Sequence, residues 1–288
     1  MFQSATRDET AIPVVGPDGL VALDHLVAHG HPAGALLIKG LPVGELGVTP
    51  ASPTAPTTKD GTSEATLLGI ARRLGEPVGY LPEHGGDLVQ NLVPTQAEAA
   101  RQTSTSSRVR LDWHTETAFH PHKPRYLVLL CLRGDPAAQT LLCSMAQLDA
   151  GLPERTRLVL REARFRIGVD ESFTDGRTVL LPELRPVVSG PAPRPEFTFD
   201  AGLMVGADAE ADEALAEVRR RIELEHVAVT LEAGDLLVVD NHVAVHGRSP
   251  FPARFDGTDR WLQRTFVVED LAPSAGERAG HVITTHFT

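Results

Sequence analysis

Leu111-Asp112-Trp113-His114-Thr115-Glu116-Thr117-Ala118-Phe119-His120 sets an imidazole and a carboxylate two residues apart, behind a segment that alternates like a strand. Side chains two apart in an extended chain leave the same face. His114 and Glu116 can therefore close on one ion from one side, leaving the far side to a third ligand. Such pairs arise easily by chance among 12 His and 38 acidic residues. Alone, this one reads more readily as a solvated salt bridge at a strand end.

A second stretch changes that balance. Leu236-Leu237-Val238-Val239-Asp240-Asn241-His242-Val243-Ala244-Val245-His246-Gly247-Arg248 is an apolar strand, a polar turn and a short strand carrying His246. Two His and one carboxylate with open positions opposite form the facial arrangement of non-haem Fe(II) oxygenases. His242 competes with His246 for the distal position, because it lies four residues away on the same predicted face.

Composition excludes several other classes. The chain has 288 residues, 42% hydrophobic and 23% charged, as in an ordinary globular protein able to bury a sizeable core. A net charge of -11 argues against a nucleic-acid partner. Arg155, Arg157, Arg161, Arg164 and Arg166 cluster at helical spacing beside Glu154 and Glu162, as a solvated helix face does. Cys131 and Cys143 sit in apolar segments as small buried hydrophobes, and two Cys in so long a chain suggest a reducing cytoplasm. The first residues carry no basic region followed by an apolar core, and no apolar run approaches the roughly 20 residues of a membrane span. The expectation is a soluble, cytoplasmic protein with a small-molecule substrate.

Hydrophobic spacing predicts helices over 19–30, 62–74, 153–162 and 208–224, with Thr62 or Ser63 capping the second. Strands are predicted at 35–39, 88–93, 125–132, 139–143, 165–169, 226–231, 236–239, 244–246 and 261–268. Residues 44–62, rich in Gly, Pro and Thr, read as a partly mobile connection, and 171–195 as loop or edge. Early helices followed by many short strands suggest an α+β, mainly β domain built on an antiparallel barrel or jelly roll. The whole chain reads as one domain. Residues 1–84 form a helix/strand flank, and 85–270 form the core with a lid insertion at about 171–225.

At this point His114-Thr115-Glu116, the strand from Arg125-Tyr126-Leu127 to Cys131-Leu132-Arg133-Gly134, and the tail Asp240-Asn241 to His246-Gly247-Arg248, Phe251 and Arg254 to Arg264 become specific together. They resemble the clavaminate synthase-like Fe(II)/2-oxoglutarate-dependent dioxygenases, near the free-amino-acid arginine and asparagine hydroxylases. The resemblance spans roughly residues 85 to 268. It implies a double-stranded β-helix with flanking helices and Fe(II) at its mouth, held by His114, Glu116 and His246. Glu116 argues for oxygenation, since related halogenases carry a small residue there. His120 and His122 read as loop residues near the rim.

The resemblance also assigns the remaining site. Arg260, fourteen residues past His246, would hold the distal carboxylate of 2-oxoglutarate, which suits a planar guanidinium, and Thr140 would donate a hydroxyl to it. Arg264 would take a substrate α-carboxylate and Asp200 a basic side chain, with Gln90, Asn91 and Ser104 near the amino-acid head group. The segments 44–62 and 171–200 are lid candidates. The implied reaction hydroxylates an unactivated C–H of a free L-amino acid or derivative (arginine-, asparagine- or lysine-like) with O2, releasing succinate and CO2, in specialised-metabolite biosynthesis. A relative acting on another small acid, one catalysing desaturation or ring closure, and a non-catalytic metal-binding jelly roll are the alternatives.

Overall fold

The computed structural model describes residues 10–174, 176–191 and 194–287. Strands β1 (Val14–Val15) and β2 (Ala35–Ile38) flank helix α1 (Leu20–His29), which buries Leu23 and Leu26. Helix α2 (Thr62–Leu74) buries Leu67, Ile70, Ala71 and Leu74. It has no side-chain cap from Thr62 or Ser63; Asp60 Oδ1 accepts the Thr62 N–H at 3.0 Å instead. Strand β3 (Glu76–Tyr80) escapes the sequence pattern because Pro77 and Gly79 interrupt it, and β4 is confined to Gln90–Leu92.

The middle of the chain supplies β5 (Leu111–His114), β6 (Tyr126–Arg133) and β7 (Gln139–Ser144), then short helices α3 (Met145–Asp149) and α4 (Glu154–Leu160). Helix α3 starts on a reciprocal Ser144–Gln147 capping box. Strand β8 (Phe165–Val169) is followed by the short β9 (Val179–Leu180), β10 (Val188–Ser189), β11 (Glu196–Phe197) and β12 (Met204–Gly206). Helix α5 (Ala209–Glu225) starts where Asp208 accepts the Ala211 N–H. Then come β13 (Val227–Thr230), β14 (Leu236–Asp240), β15 (Ala244–Arg248), β16 (Trp261–Val268), β17 (Arg278–Ala279) and β18 (Val282–Ile283).

Two sheets carry the site. The larger runs β1-β2-β14-β6-β16-β3-β18-β17, with β4 also on β16; the smaller runs β13-β7-β15-β5. Alternation in β6 shows how they are held. Leu127, Leu129 and Cys131 enter a core shared with Leu142 and Val245 of the smaller sheet, whereas Val128, Leu130 and Leu132 pack with Leu67 and Leu74 of α2. A strand buried on both faces reads as a continuous apolar run. Each such Leu contributes about 1.5–3 kcal/mol on burial.

Two expectations shift here. β2 and β3 precede residue 85, and β17 and β18 follow residue 270, so strands from both flanks enter the main sheet. The connection 44–62 is pinned, not loose. Thr49 Oγ1 donates to the Asp259 carbonyl at 2.6 Å, Arg133 donates to the Gly47 carbonyl at 3.0 Å, and Asn91 donates to the Pro53 carbonyl at 3.3 Å. Cys131 and Cys143 are free and buried, and among the described residues no helix is long and apolar enough to cross a membrane.

Candidate active site

β15 pairs antiparallel with β5 so that His246 lies directly opposite His114. Gly247 permits this approach, since a Cβ there would stand 2.7 Å from the Leu111 carbonyl oxygen. The strand ends at His114; Glu116 sits in the turn that follows, where Thr117 takes φ 45. Glu116 Oε2 lies 3.3 Å from His246 Nε2 and 3.9 Å from His114 Nε2. One ligand atom from each residue falls within 4.8 Å of the other two, close enough to surround a single ion.

The donor chemistry fits a divalent metal. His114 Nδ1 lies 2.8 Å from the Asp112 carbonyl, which can only accept, so Nδ1 carries the proton and Nε2 presents its lone pair inward. Burial, then the His114 ring, pulls the His246 pKa down to about 4, leaving a neutral imidazole. For Glu116, burial favours the neutral acid, but Arg264, His246 and His114 outweigh it and hold the carboxyl well below its usual range. The fully buried Asn241 braces the Glu116 main chain and donates to the Pro124 carbonyl at 3.0 Å.

His242 does not compete for the metal. It lies in the turn before β15, its Nδ1 3.3 Å from Arg125 Nη1 and 3.8 Å from Glu196. His120 is not a rim residue either. It is 2% exposed, packed against Tyr80 and Phe173.

The predicted head-group residues separate by strand face. Arg264 points into the site, where Nη1 donates to Glu116 Oε1 at 3.1 Å, Nε to Gln90 Oε1 at 3.0 Å and Nη2 to Glu83 Oε2 at 3.0 Å. Asn91, the next residue after Gln90, leaves the opposite face and accepts from Trp261 Nε1 at 2.9 Å. Asn91 is therefore withdrawn from the site. Ser104 is half-buried, and its carbonyl accepts from Arg248 Nη1 at 3.4 Å. Asp200 pairs across from His114 in an isolated bridge, which puts both side chains on one face. Its Oδ1 accepts the Gly202 and Leu203 N–H groups at 2.8 Å each, and among the described residues it has no salt-bridge partner.

Arg260 is buried at 7% exposure, and burial lowers its pKa. Its alternative partner is occupied: Asp259 accepts the main-chain N–H groups of Arg254 and Asp256. Among the described residues no carboxylate pairs with the Arg260 guanidinium. Thr140 is buried opposite Arg248, one inward-facing pair along from Leu142 and His246. Arg248 stands near Arg260; burial, then that second guanidinium, depresses its pKa to about 9. Two buried guanidinium groups with no salt-bridge partner among the described residues, Arg260 feeling only the more distant Asp135 charge, suit an anion.

Residues 31–266 match the family described as taurine catabolism dioxygenase TauD, TfdA family. The chain belongs to the TauD/TfdA family. Among curated TauD/TfdA relatives, the L-lysine 3-hydroxylase of Catenulispora acidiphila is 42% identical over 265 residues, covering 88% of this chain and 73% of the relative. Solved TauD/TfdA-like structures include asparagine oxygenase with Fe(II), 2S,3S-3-hydroxyasparagine and succinate (TM-score 0.85, 34% identity, 93% of this chain and 86% of that one). The non-heme iron oxygenase OrfP with Fe and alpha-ketoglutaric acid is similar at TM-score 0.82 and 32% identity, over 93% of this chain and 86% of that one.

Sequence reasoning missed Glu83 and Arg248, and gave Asn241 no role. Glu83 is a lone acid in a loop with no periodic neighbours. Asn241 could have been noticed as an amide directly behind the strand that leads to His246.

Proposed function

We propose that this TauD/TfdA member is an Fe(II)/2-oxoglutarate-dependent dioxygenase that hydroxylates an unactivated C–H of a free L-amino acid with a cationic, lysine-like side chain. His114, Glu116 and His246 hold the metal, and Arg260 with Thr140 receives the distal carboxylate of 2-oxoglutarate. With O2, the bound metal and cosubstrate supply the oxidising power: substrate, 2-oxoglutarate and O2 become hydroxylated product, succinate and CO2. The protein's own part is to aim one C–H at the metal and exclude water.

The observation that carries the substrate half is the Arg264–Gln90–Glu83 cluster beside Glu116, together with a half-buried Asp200 that lies across from His114 and has no salt-bridge partner among the described residues. Arg264 takes the α-carboxylate and Glu83 is released to the α-ammonium, so a zwitterion replaces an internal ion pair. Burial pushes the Asp200 carboxyl up, against His114 and two N–H donors. A substrate ammonium supplies the counter-charge that this carboxylate lacks. Two sheets packed on one shared core support the jelly-roll, or double-stranded β-helix, reading of the fold. Two free, buried cysteines fit a cytoplasmic setting.

The test is Fe(II)-dependent succinate formation with L-lysine, L-ornithine, L-arginine and L-asparagine, read by mass spectrometry for a gain of one oxygen. Succinate formation that is indifferent to all four, or a response only to carrier-tethered substrates, sinks the free-amino-acid reading. Preference for L-asparagine sinks the cationic half alone.

A further inference from the structure

The segment after β16 turns through the hairpin β17–β18 and comes back along an edge of the main sheet. β18 pairs in parallel with β3, Val282 beside Gly79 and Ile283 beside Tyr80. The Gly79 N–H donates to the His281 carbonyl at 3.1 Å and the Leu81 N–H to the Ile283 carbonyl at 2.8 Å. Val282 also rests on Gly86, where a Cβ would lie 2.4 Å from its methyl carbon. Gly86 closes the turn that presents Glu83, so the returning segment braces that turn on both sides.

Four residues on, Phe287 enters an aromatic cluster. Its ring centroid lies 5.4 Å from Phe119, 5.6 Å from His120 and 6.4 Å from Phe173. Tyr80 joins His120, Phe173 and Phe266 at 5.0, 5.9 and 5.5 Å. The members have one thing in common in sequence. Phe119 and His120 follow Glu116, Tyr80 precedes Glu83, and Phe266 follows Arg264, each within four residues. Phe173 stands on the 3-10 turn after β8, at the start of the expected lid. Edge-to-face rings at these distances fix orientation as well as area.

We infer that Phe287 is a positioning residue for the hydroxylation reaction. Through Phe173 and His120 it steadies Tyr80 and Phe266, and with them the segments that carry Glu83 and Arg264, and so sets the substrate side of the site; Glu116 itself is held separately by Asn241. Its ring neighbours among the described residues are Phe119, His120 and Phe173, and neither His114 nor His246 is one of them. Its loss therefore loosens the amino acid while leaving the cosubstrate untouched.

The full chain is compared with Phe287→Ala, Phe287→Tyr and a chain stopped after Glu277, with L-lysine as the probe. Phe287→Ala should raise the KM for L-lysine about fivefold or more with kcat little changed, since small misplacements are costly in such sites. The share of succinate formed without hydroxylated product should rise, the KM for 2-oxoglutarate should hold, and Phe287→Tyr should restore the native values. Amide hydrogen exchange, which needs no substrate, should quicken at Glu83–Gly86 and Ser172–Thr174 in Phe287→Ala and further in the shortened chain. Native exchange at both segments overturns the inference, as does a native KM and native coupling. If the unaltered chain hydroxylates no amino acid, the functional reading fails alone, and hydrogen exchange still decides the role of Phe287.

Discussion

Asn241 grips the main chain of Glu116 from both sides, its Oδ1 accepting the Glu116 N–H at 2.6 Å and its Nδ2 donating to the Glu116 carbonyl at 3.1 Å. The turn after β5 is irregular, and this carboxamide does for it what a sheet partner would do for a strand. Asn241→Ala leaves three main-chain groups without their side-chain partner, the Glu116 N–H and the Glu116 and Pro124 carbonyls, at a cost of about 1–3 kcal/mol for each that stays buried and unpaired. Because a ligand is misaligned as well, Fe(II) affinity should fall by about 10–100-fold. Metal titration and thermal unfolding of the metal-free protein check the two effects separately; unchanged Fe(II) affinity refutes the bracing role.

Arg260 is the cosubstrate test. Arg260→Met removes a charge-assisted bidentate pair and should raise the KM for 2-oxoglutarate by about 100-fold, or about 3 kcal/mol. The KM for the amino acid should change far less. Arg260→Lys should recover part of the loss, because a point charge cannot reproduce the planar fork. Equal effects on both KM values would place Arg260 outside the cosubstrate pocket.

Burial pushes the Glu83 carboxyl up to about 7, with Arg264 pulling against it and the Glu116 charge adding to it. Below that pH Glu83 gains a proton and loses its attraction for an ammonium. The amino-acid KM should therefore rise as the pH falls below about 7, and Glu83→Gln should abolish that rise at the expense of about tenfold weaker binding. A pH profile of KM in both proteins decides it. A Gln variant with the native profile removes Glu83 from the head-group site.

Three imidazoles bear on acid stability. Burial is the main reason that His120 and His242 are depressed to about 3, and His246 to about 4, from an ordinary 6.5. Between those values the unfolded chain takes up protons that the folded chain refuses. Stability of the metal-free protein is then full above pH 6.5 and declines as the pH drops toward 4. His242→Gln should flatten that decline, measured as Tm against pH; an unaltered slope means His242 is solvated.

His114 was legible at the end of a strand and His246 on an apolar strand that had to be buried, whereas Glu116, expected on the same extended face, reaches the site from the turn in which Thr117 takes φ 45. Arg260 and Arg264 followed from the resemblance; Arg264 lies inward on β16 beside Gln90 and Glu116, and Arg260 is buried just before that strand. Parity also explains the error at Asn91: adjacent residues of β4 leave opposite faces, so Gln90 and Asn91 could never both reach one substrate. Glu83 was invisible because its position depends on β3, and Pro77 and Gly79 hide that strand from any periodicity. His120 was misjudged because a polar residue in a loop looks solvated until the aromatic rings around it are known.

The pairing of β2 with β14, Ala35 against Val239 and Ile38 against Leu236, has a bearing on biosynthesis. An early strand emerging from the ribosome finds its neighbour only after β14 has been made, and long-range pairings of this kind fold slowly. His246 arrives later still, so a nascent chain cannot close the His114–Glu116–His246 set before β15 has been made. Until then Leu36, Leu37 and Ile38 lie bare, and a chaperone that shields apolar strands should raise the yield of metal-loaded enzyme more than extra iron does.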